Sequence, residues 1–301
     1  MSPRKDRDQI FPQLVDGAVR HNNPVEIALE EATRLSEAGG QSRLPDIVVS
    51  IGSGKEQPDD RRDLGTRPPV ASDTGIIVSR LRNLFTMIRY QIKINLDTDR
   101  RWNHVLSSRP ELKERMKRIN PDLGELPPPL DDTACVQRLR ELIPQLTQAK
   151  TEINKRNPGV VKLVRDIACR LIASSFYFER DGNPVFGPGC SMTLPGCIKC
   201  RLDPVKEDMR NLAMYLSRSR QGASFLICGR PKVGDDVRFP LAMEPFLRNG
   251  IFNPLPVHVF VPGEETTTTI YLKMHGAEHD EQSYVISGFP RILLRQDFAR
   301  Q

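Results

Sequence analysis

Residues 11–18 read FPQLVDGA, residues 22–24 read NNP, and residues 50–54 read SIGSG. The first run predicts a short strand that ends in a turn at Asp16. The asparagines and the proline open a helix, and the β-branched run 45–51 predicts a second, buried strand that ends at glycines. Strand, helix and strand in this order predict a parallel α/β unit.

The helix between the two strands has a clear predicted start and end. Asn23 suits the N-cap, Pro24 suits the first helical position, and Glu26 stands three residues after the cap, as in a capping box. Apolar residues then recur at helical spacing up to Gly39 and Gly40. We expect a helix of roughly 15 residues.

After this unit the pattern is first polar and then helical. Residues 55–74 are rich in Pro, Asp and Arg and indicate an exposed, mobile loop. Helical spacing of apolar residues predicts helices over about 76–106, 133–149 and 158–174. The middle of the chain is therefore expected to be mainly helical.

Beyond Phe178 the pattern becomes β-rich. Short β-branched runs separated by Gly, Pro and Asp predict a mainly antiparallel C-terminal domain, with one helix near 206–217. The predicted strands are Cys197–Leu202, Ser224–Cys228, Val257–Val261, Thr267–Leu272 and Ser283–Ile286.

These patterns predict an α/β protein with three parts. Residues 1–110 are expected to form a partial α/β domain, residues 111–175 a helical segment, and residues 176–301 a β-rich C-terminal domain. A chain of 301 residues with 38% hydrophobic residues can bury a sizeable core.

Composition narrows the class of protein. Six cysteines in 301 residues are too few for a disulfide scaffold, and no apolar run reaches the roughly 20 residues that span a bilayer. We expect a cytoplasmic protein that associates peripherally with membranes. A formal charge of +6 mildly favours anionic partners, and the absence of an aromatic stacking motif among the basic stretches argues against nucleic acid.

The order and spacing of the motifs over residues 10–54 resemble the patatin-like phospholipase family. In that family a strand delivers an aspartate in an Asp-Gly-Gly or Asp-Gly-Ala turn, two asparagines and a proline open the next helix, and the following strand ends in a Gly-Ser/Thr-Gly turn. The segments 120–132 and 174–178 are similar to the fungal branch of the family. The resemblance implies the carboxy-terminal part of a patatin-like α/β domain in residues 1–110.

The resemblance also implies a function and a set of site residues. It implies hydrolysis of phospholipid or acylglycerol esters, in lipid degradation, by a Ser-Asp dyad with Asp16 as the general base. Gly17 and Ala18 would complete the turn, and Asn22 and Asn23 would shape the loop and cap the helix. The family chemistry needs no cofactor and no metal.

The chain departs from the family at the nucleophile. A G-x-S-x-G elbow occurs nowhere in the 301 residues, and neither does the Gly-rich oxyanion loop. Ser53 lies in a turn that lacks the spacing of the elbow, so we do not assign it as the nucleophile. We expect a truncated and inactive form of the hydrolase. The alternative is a pseudoenzyme, a non-catalytic remnant that binds a lipid surface or a protein.

Two other patterns have alternative interpretations. Cys197 and Cys200, with Cys190 and Cys228, have the spacing of a zinc knuckle at one pair only, and buried thiols in a strand explain them equally well. A basic helical face could contact anionic lipid, although charged faces are usually only solvated. That face comprises Arg80, Arg82, Arg89, Lys93, Arg100 and Arg101.

Overall fold

The computed structural model describes residues 23–38, 44–52, 98–123, 135–148, 151–203, 207–219, 222–228, 237–275 and 281–293. The strand predicted over 10–15, the loop predicted over 55–74 and most of the helix predicted over 76–106 lie outside these residues. The chain is an α/β protein with one parallel strand pair and several antiparallel pairs among the described residues.

The chain divides into two compact units. One comprises Met1–Ala28 and Pro58–Pro110, and the other comprises Leu29–Gln57 and Glu111–Gln301. In the first unit, helix α2 (Thr98–Ser108) buries Trp102 and Val105.

Helix α1 (Val25–Ala38) has 14 residues, which confirms the helix predicted after the two asparagines. Val25 and Leu29, four residues apart, are buried, as one face of an amphipathic helix should be. Leu35 lies near this face in the sequence pattern but is 74% exposed. Only the first half of the predicted apolar face is therefore buried.

The strand predicted over 45–51 is present as β1 (Val48–Ile51). The prediction that this strand is buried is wrong, because only Ser50 of its four residues is buried and Ile51 is 76% exposed. It pairs in parallel with β2 (Met116–Ile119), with Val48 opposite Met116 and Ile51 opposite Ile119. β2 was not predicted, because two of the four residues in its sequence MKRI are basic. The pair brings together residues from both sides of the boundary predicted at residue 110.

Three helices follow the parallel pair. α3 (Cys135–Thr147) and α5 (Val160–Ser174) confirm the helices predicted over 133–149 and 158–174, and the short α4 (Glu152–Arg156) lies between them. Thr151 caps α4, because its hydroxyl accepts a hydrogen bond from the Asn154 amide.

The C-terminal region contains nine strands and two helices among the described residues. They are β3 (Phe176–Arg180), β4 (Val185–Phe186), β5 (Met192–Cys200), α6 (Glu207–Leu216), β6 (Ser224–Cys228), β7 (Val237–Pro240), α7 (Met243–Asn249), β8 (Leu255–Val261), β9 (Thr267–His275), β10 (Glu281–Val285) and β11 (Arg291–Ile292). All five predicted strands and the predicted helix overlap these elements. Strands β3, β4, β7 and β11 and helix α7 were not predicted.

These strands form two antiparallel sheets. In one sheet β5 pairs with β3 and β4 on one side and with β8 on the other, and the second sheet has the order β10-β9-β6-β7, with β11 also on β9. The rings of Phe176 and Phe225, one from each sheet, have centroids 5.3 Å apart. The sheets therefore share one core, to which α5, α6 and α7 contribute Ala173, Leu216 and Phe246.

Side-chain alternation along β5 shows why this strand is central. Met192, Leu194 and Ile198 are buried and are separated by even numbers of residues, so they lie on one face of the strand, against the core. Gly196 continues this face beneath the Phe178 ring. A Cβ there would lie 2.5 Å from the Glu179 carbonyl oxygen, so only glycine fits without movement of the neighbouring strand.

Among the described residues, no helix has both the length and the apolar character needed to cross a membrane.

Candidate functional site

The residues assigned from the family resemblance are only partly described by the structure. Asp16, Gly17, Ala18 and Asn22 lie outside the described residues. Asn23 is the described member of the set. Asn23 and the carboxyl end of the parallel pair β1–β2 are the described parts of the chain that bear on this site.

Asn23 is buried at the start of α1 and both ends of its amide are hydrogen-bonded. Its Oδ1 accepts a hydrogen bond of 3.3 Å from the Val25 amide, which is the bond of a helix N-cap. Its Nδ2 donates to the Thr98 carbonyl oxygen at 3.3 Å. The Glu26 carboxylate forms an ion pair of 2.8 Å with Arg101. The start of α1 is thus anchored at the first turn of α2.

The carboxyl end of the parallel pair is closely packed around Gly52. The Gly52 amide donates a hydrogen bond of 2.7 Å to the Ile119 carbonyl oxygen, which extends the ladder beyond β1. A Cβ at position 52 would lie 2.6 Å from Asn120 Cγ. The Asn120 side chain therefore occupies the space that any other residue at position 52 would need.

The segment after β2 is held by a buried asparagine. Asn157 Oδ1 accepts a hydrogen bond of 2.7 Å from the Asp122 amide, and its Nδ2 donates to the carbonyl oxygens of Asp122 and Ile153, each at 2.8 Å. Asn157 thereby fixes the Asp122 backbone, two residues after the Asn120 side chain that packs on Gly52. Carboxyl ends of parallel strands are where open α/β sheets bind ligands, so this is the end at which a site is expected.

Basic side chains of β2 lie on both faces of the parallel pair. Arg118 donates to the Ser50 hydroxyl at 2.8 Å, on the face where Ser50 is buried. On the other face, Lys117 forms an ion pair of 3.3 Å with Asp166 of α5, and Arg170 contacts the same carboxylate at 3.0 Å. These contacts explain how a strand with two basic residues is accommodated beside α5.

A second polar cluster joins the start of β1 to the C-terminal sheets. Ser287 donates a hydrogen bond of 2.6 Å to Asp46 Oδ2, and the Gly288 amide donates to Asp46 Oδ1 at 2.9 Å. Arg201 donates to the same Ser287 oxygen at 2.6 Å. The Asp46 carboxylate thus accepts two hydrogen bonds from residues far along the chain.

Arg115, immediately before β2, reinforces this cluster. Its guanidinium donates to the Pro45 carbonyl oxygen at 2.8 Å and to the Phe289 carbonyl oxygen at 3.0 Å. Burial lowers the pKa of the Arg115 guanidinium, and the nearby Asp46 carboxylate opposes that shift. The cluster links four segments that no sequence motif connects: residues 45–46, Arg115, Arg201 and residues 287–289.

Ser287 and Asp46 form a serine and carboxylate pair, so the pair must be considered as a catalytic dyad. Ser287 is buried, and its oxygen accepts from Arg201 while it donates to Asp46. A nucleophile needs an oxygen that can reach a substrate carbon. This geometry assigns Ser287 a bridging role in the fold and not the role of a nucleophile.

The cysteines do not form a zinc knuckle in the described part of the chain. Cys197 and Cys200 both lie in β5, and because they are three residues apart their side chains point to opposite faces of the sheet. Cys200 packs against the core, and burial raises the pKa of its thiol. No group of three or more potential metal ligands is present among the described residues. Five cysteines are free thiols: Cys135, Cys169, Cys197, Cys200 and Cys228.

No protein-family model, curated protein or solved structure matches this chain. The functional assignment therefore depends on the residues themselves. Sequence reasoning identified the Asn23 cap and the glycine that follows β1, because both are local patterns. It missed Asn157 and the Asp46 cluster, because their partners lie between 35 and 242 positions away.

Proposed function

We propose that this chain derives from a patatin-like acyl ester hydrolase that acts on phospholipid or acylglycerol esters at a membrane surface, with Asp16 as the base of a Ser-Asp dyad. The observation that carries the proposal is the ordered set of motifs over residues 10–54. We further propose a cytoplasmic location with peripheral membrane contact.

Three features of the structure support this proposal. Asn23 caps the helix that follows the Asp-Gly-Ala sequence motif. The next strand, β1, enters a parallel pair, as an α/β hydrolase sheet requires. Gly52, at the carboxyl end of β1, stands where the Asn120 side chain allows only glycine. All three are expected of the α/β unit that the motifs describe.

The proposed chemistry gives Asp16 a single role. Its carboxylate takes the proton from a serine hydroxyl as the serine oxygen attacks the ester carbonyl carbon, and the alcohol leaves with a proton. Water then attacks the acyl carbon and gives a proton to the carboxylate, and the bond from carbon to the serine oxygen breaks as that oxygen takes the proton back and the free acid leaves. Since no G-x-S-x-G motif occurs in the 301 residues, we expect the chain as printed to be inactive by itself.

The first experiment assays the 301-residue chain for hydrolysis of a short-chain chromogenic ester and of a phospholipid. Asp16→Ala is the test variant, and Asp181→Ala, at an exposed loop position, is the matched control. We expect no hydrolysis by any of the three. Hydrolysis that Asp16→Ala abolishes and Asp181→Ala retains would mean that a serine of this chain serves as the nucleophile, and Ser53→Ala would be the next variant.

The second experiment tests the dyad itself. Genomic sequence in frame with the chain is searched for G-x-S-x-G and the Gly-rich loop, and a product that contains them is expressed with and without Asp16→Ala. We expect hydrolysis that falls by several orders of magnitude in the variant. Hydrolysis that does not depend on Asp16 would refute the dyad. The absence of any such segment would favour the non-catalytic lipid-surface or protein-binding alternative.

A further inference from the structure

Helices α3, α4 and α5 form one linked segment at residues 135–174. The Thr151 hydroxyl donates to the Gln145 carbonyl oxygen at 2.6 Å, and Asn154 Nδ2 donates to the Leu146 carbonyl oxygen at 2.5 Å. These bonds tie the end of α3 to the start of α4, and the Val160 amide at the start of α5 donates to the carbonyl oxygen of Asn157, the C-cap of α4, at 3.2 Å. From here on, the helical segment means the described residues 135–148 and 151–174.

Large apolar side chains are exposed on the two longer helices of this segment. On α3, Val136 and Ile143 are 46% and 63% exposed, and on α5, Val164 and Leu171 are 45% and 48% exposed. Residues seven apart lie on the same face of a helix, so each helix presents an aligned apolar pair. Isolated exposed apolar residues are common, but two aligned pairs on linked helices indicate a contact surface.

The same segment has more basic than acidic side chains, although Lys155 and Arg170 are paired with Glu152 and Asp166 within it. Arg140 lies between Val136 and Ile143 on the same face of α3, because it is four residues from one and three from the other. The described residues of the segment include seven basic and three acidic side chains. They are Arg138, Arg140, Lys155, Arg156, Lys162, Arg165 and Arg170 against Glu141, Glu152 and Asp166.

We propose that the exposed faces of α3 and α5 contact an anionic phospholipid surface. Helices that lie in a membrane interface combine exposed apolar side chains, which enter the acyl boundary, with Lys and Arg, which meet the headgroups. A nucleic acid would use the basic groups but would leave the apolar pairs in water. The inference rests on the proposed function, since an enzyme acting on phospholipid esters must reach a lipid surface, and it identifies the contacting face.

The test measures co-sedimentation of the printed chain with vesicles. One vesicle type contains phosphatidylcholine alone, and the other contains roughly one part phosphatidylserine to three parts phosphatidylcholine. We expect at least about tenfold tighter binding to the anionic vesicles, with loss of that preference at high salt. Equal binding to both vesicle types, or binding to neither, overturns the proposal.

Matched variants locate the surface. Ile143→Asp and Leu171→Asp should each weaken binding by about tenfold or more, whereas Leu35→Asp, at a leucine that is 74% exposed on α1, should not. Arg140→Glu should weaken binding by several-fold, whereas Arg248→Glu, at an exposed position on α7, should have little effect. Equal losses in test and control variants would overturn the assignment to the helical segment.

Two further outcomes distinguish lipid binding from nucleic-acid binding and from the proposed hydrolase activity. Binding to single-stranded RNA that Arg140→Glu removes and Ile143→Asp retains would make the surface a nucleic-acid site and overturn the lipid proposal. Vesicle binding requires no ester hydrolysis. If the chain binds vesicles through this segment but no Asp16-dependent hydrolysis is found, only the proposed function is refuted. If Asp16-dependent hydrolysis is found but substitutions in the segment do not change vesicle binding, only this inference is refuted.

Discussion

The Ser287 hydroxyl donates a hydrogen bond of 2.6 Å to the Asp46 carboxylate, across 241 positions of sequence. Asp46 lies just before β1, and Ser287 lies after β10. The Gly288 amide donates to the second carboxylate oxygen, and Arg201 donates to Ser287 Oγ. This arrangement joins the parallel pair to the C-terminal sheets within the second unit.

Asp46→Ala should therefore be strongly destabilising. It removes the acceptor of two hydrogen bonds and leaves Arg115 without its nearby carboxylate, and the loss of a partly buried acceptor of this kind costs about 2 to 4 kcal/mol. Ser287→Ala, which removes one hydroxyl, should cost about 1 to 2 kcal/mol. Urea unfolding of the chain measures both values.

The double variant Asp46→Ala/Ser287→Ala completes the measurement. If the pair is coupled, the double variant should lose less stability than the sum of the two single losses. The difference in the free energy of unfolding should be about 0.5 kcal/mol or more. Additive losses would contradict the direct interaction. Glu244→Ala, which removes an exposed carboxylate on α7, is the control and should change stability by less than about 0.5 kcal/mol.

Gly52→Ala should destabilise the chain because the added methyl overlaps the Asn120 side chain. Forced displacement of a well-packed neighbour costs about 1 to 3 kcal/mol. In an Asn120→Ala background the same substitution should cost much less, because the obstructing atoms are gone. Gly263→Ala, whose nearest neighbour would be Thr266 Oγ1 at 3.6 Å, is the control. An equal cost of Gly52→Ala in both backgrounds would rule out this steric explanation.

Tyr215 should make stability depend on pH in the alkaline range. Burial first, and then a hydrogen bond with the Cys169 thiol, raises the pKa of Tyr215 from 10.0 to about 12. The folded state thus keeps the phenol proton where the unfolded state releases it, so this stabilisation is complete below about pH 10 and is lost as the pH rises toward 12. Since the ring is only partly buried, the loss should be at most about 2 kcal/mol.

Denaturant unfolding between pH 8 and about pH 11 tests this dependence. The decline in stability should be shallower in Tyr215→Phe, while Tyr271→Phe, which leaves Tyr215 in place, should keep the decline of the unmodified chain. A Tyr215→Phe curve parallel to that of the unmodified chain would show that this phenol does not titrate differently in the two states.

The cysteine pair of β5 should not hold zinc. Because Cys197 and Cys200 point to opposite faces of the strand, both thiolates cannot reach one ion without disruption of the sheet. We expect far less than one zinc per chain by elemental analysis, and no change in thermal unfolding with a chelator. Stoichiometric zinc that Cys197→Ser removes would refute this geometry.

Local sequence patterns predicted the elements whose cause is local. Helices α1, α3, α5 and α6 have apolar residues at helical spacing, and α1 also has the Asn23 cap. Strands β1, β6, β8, β9 and β10 are β-branched or aromatic runs between turn residues. These signals act over a few residues, so they are readable without knowledge of the fold.

Tertiary structure decided the elements and contacts that depend on distant partners. β2 forms from a sequence with two basic residues because Arg118 hydrogen-bonds Ser50 and Lys117 forms an ion pair with Asp166. β4 forms because it pairs with the neighbouring strand β5. Likewise, nothing local marks Asp46 for Ser287 or Asn157 for Asp122.

For the candidate site, the sequence by itself determined the capped helix and the glycine at the end of β1, because each depends on the conformational preferences of a few adjacent residues. Only the tertiary structure decided that Asn120 closes over Gly52 and that Ser287 serves as a buried bridge. Hydrogen bonds between residues far apart in sequence form only when the hydrophobic core brings their strands together, and no local pattern encodes that approach.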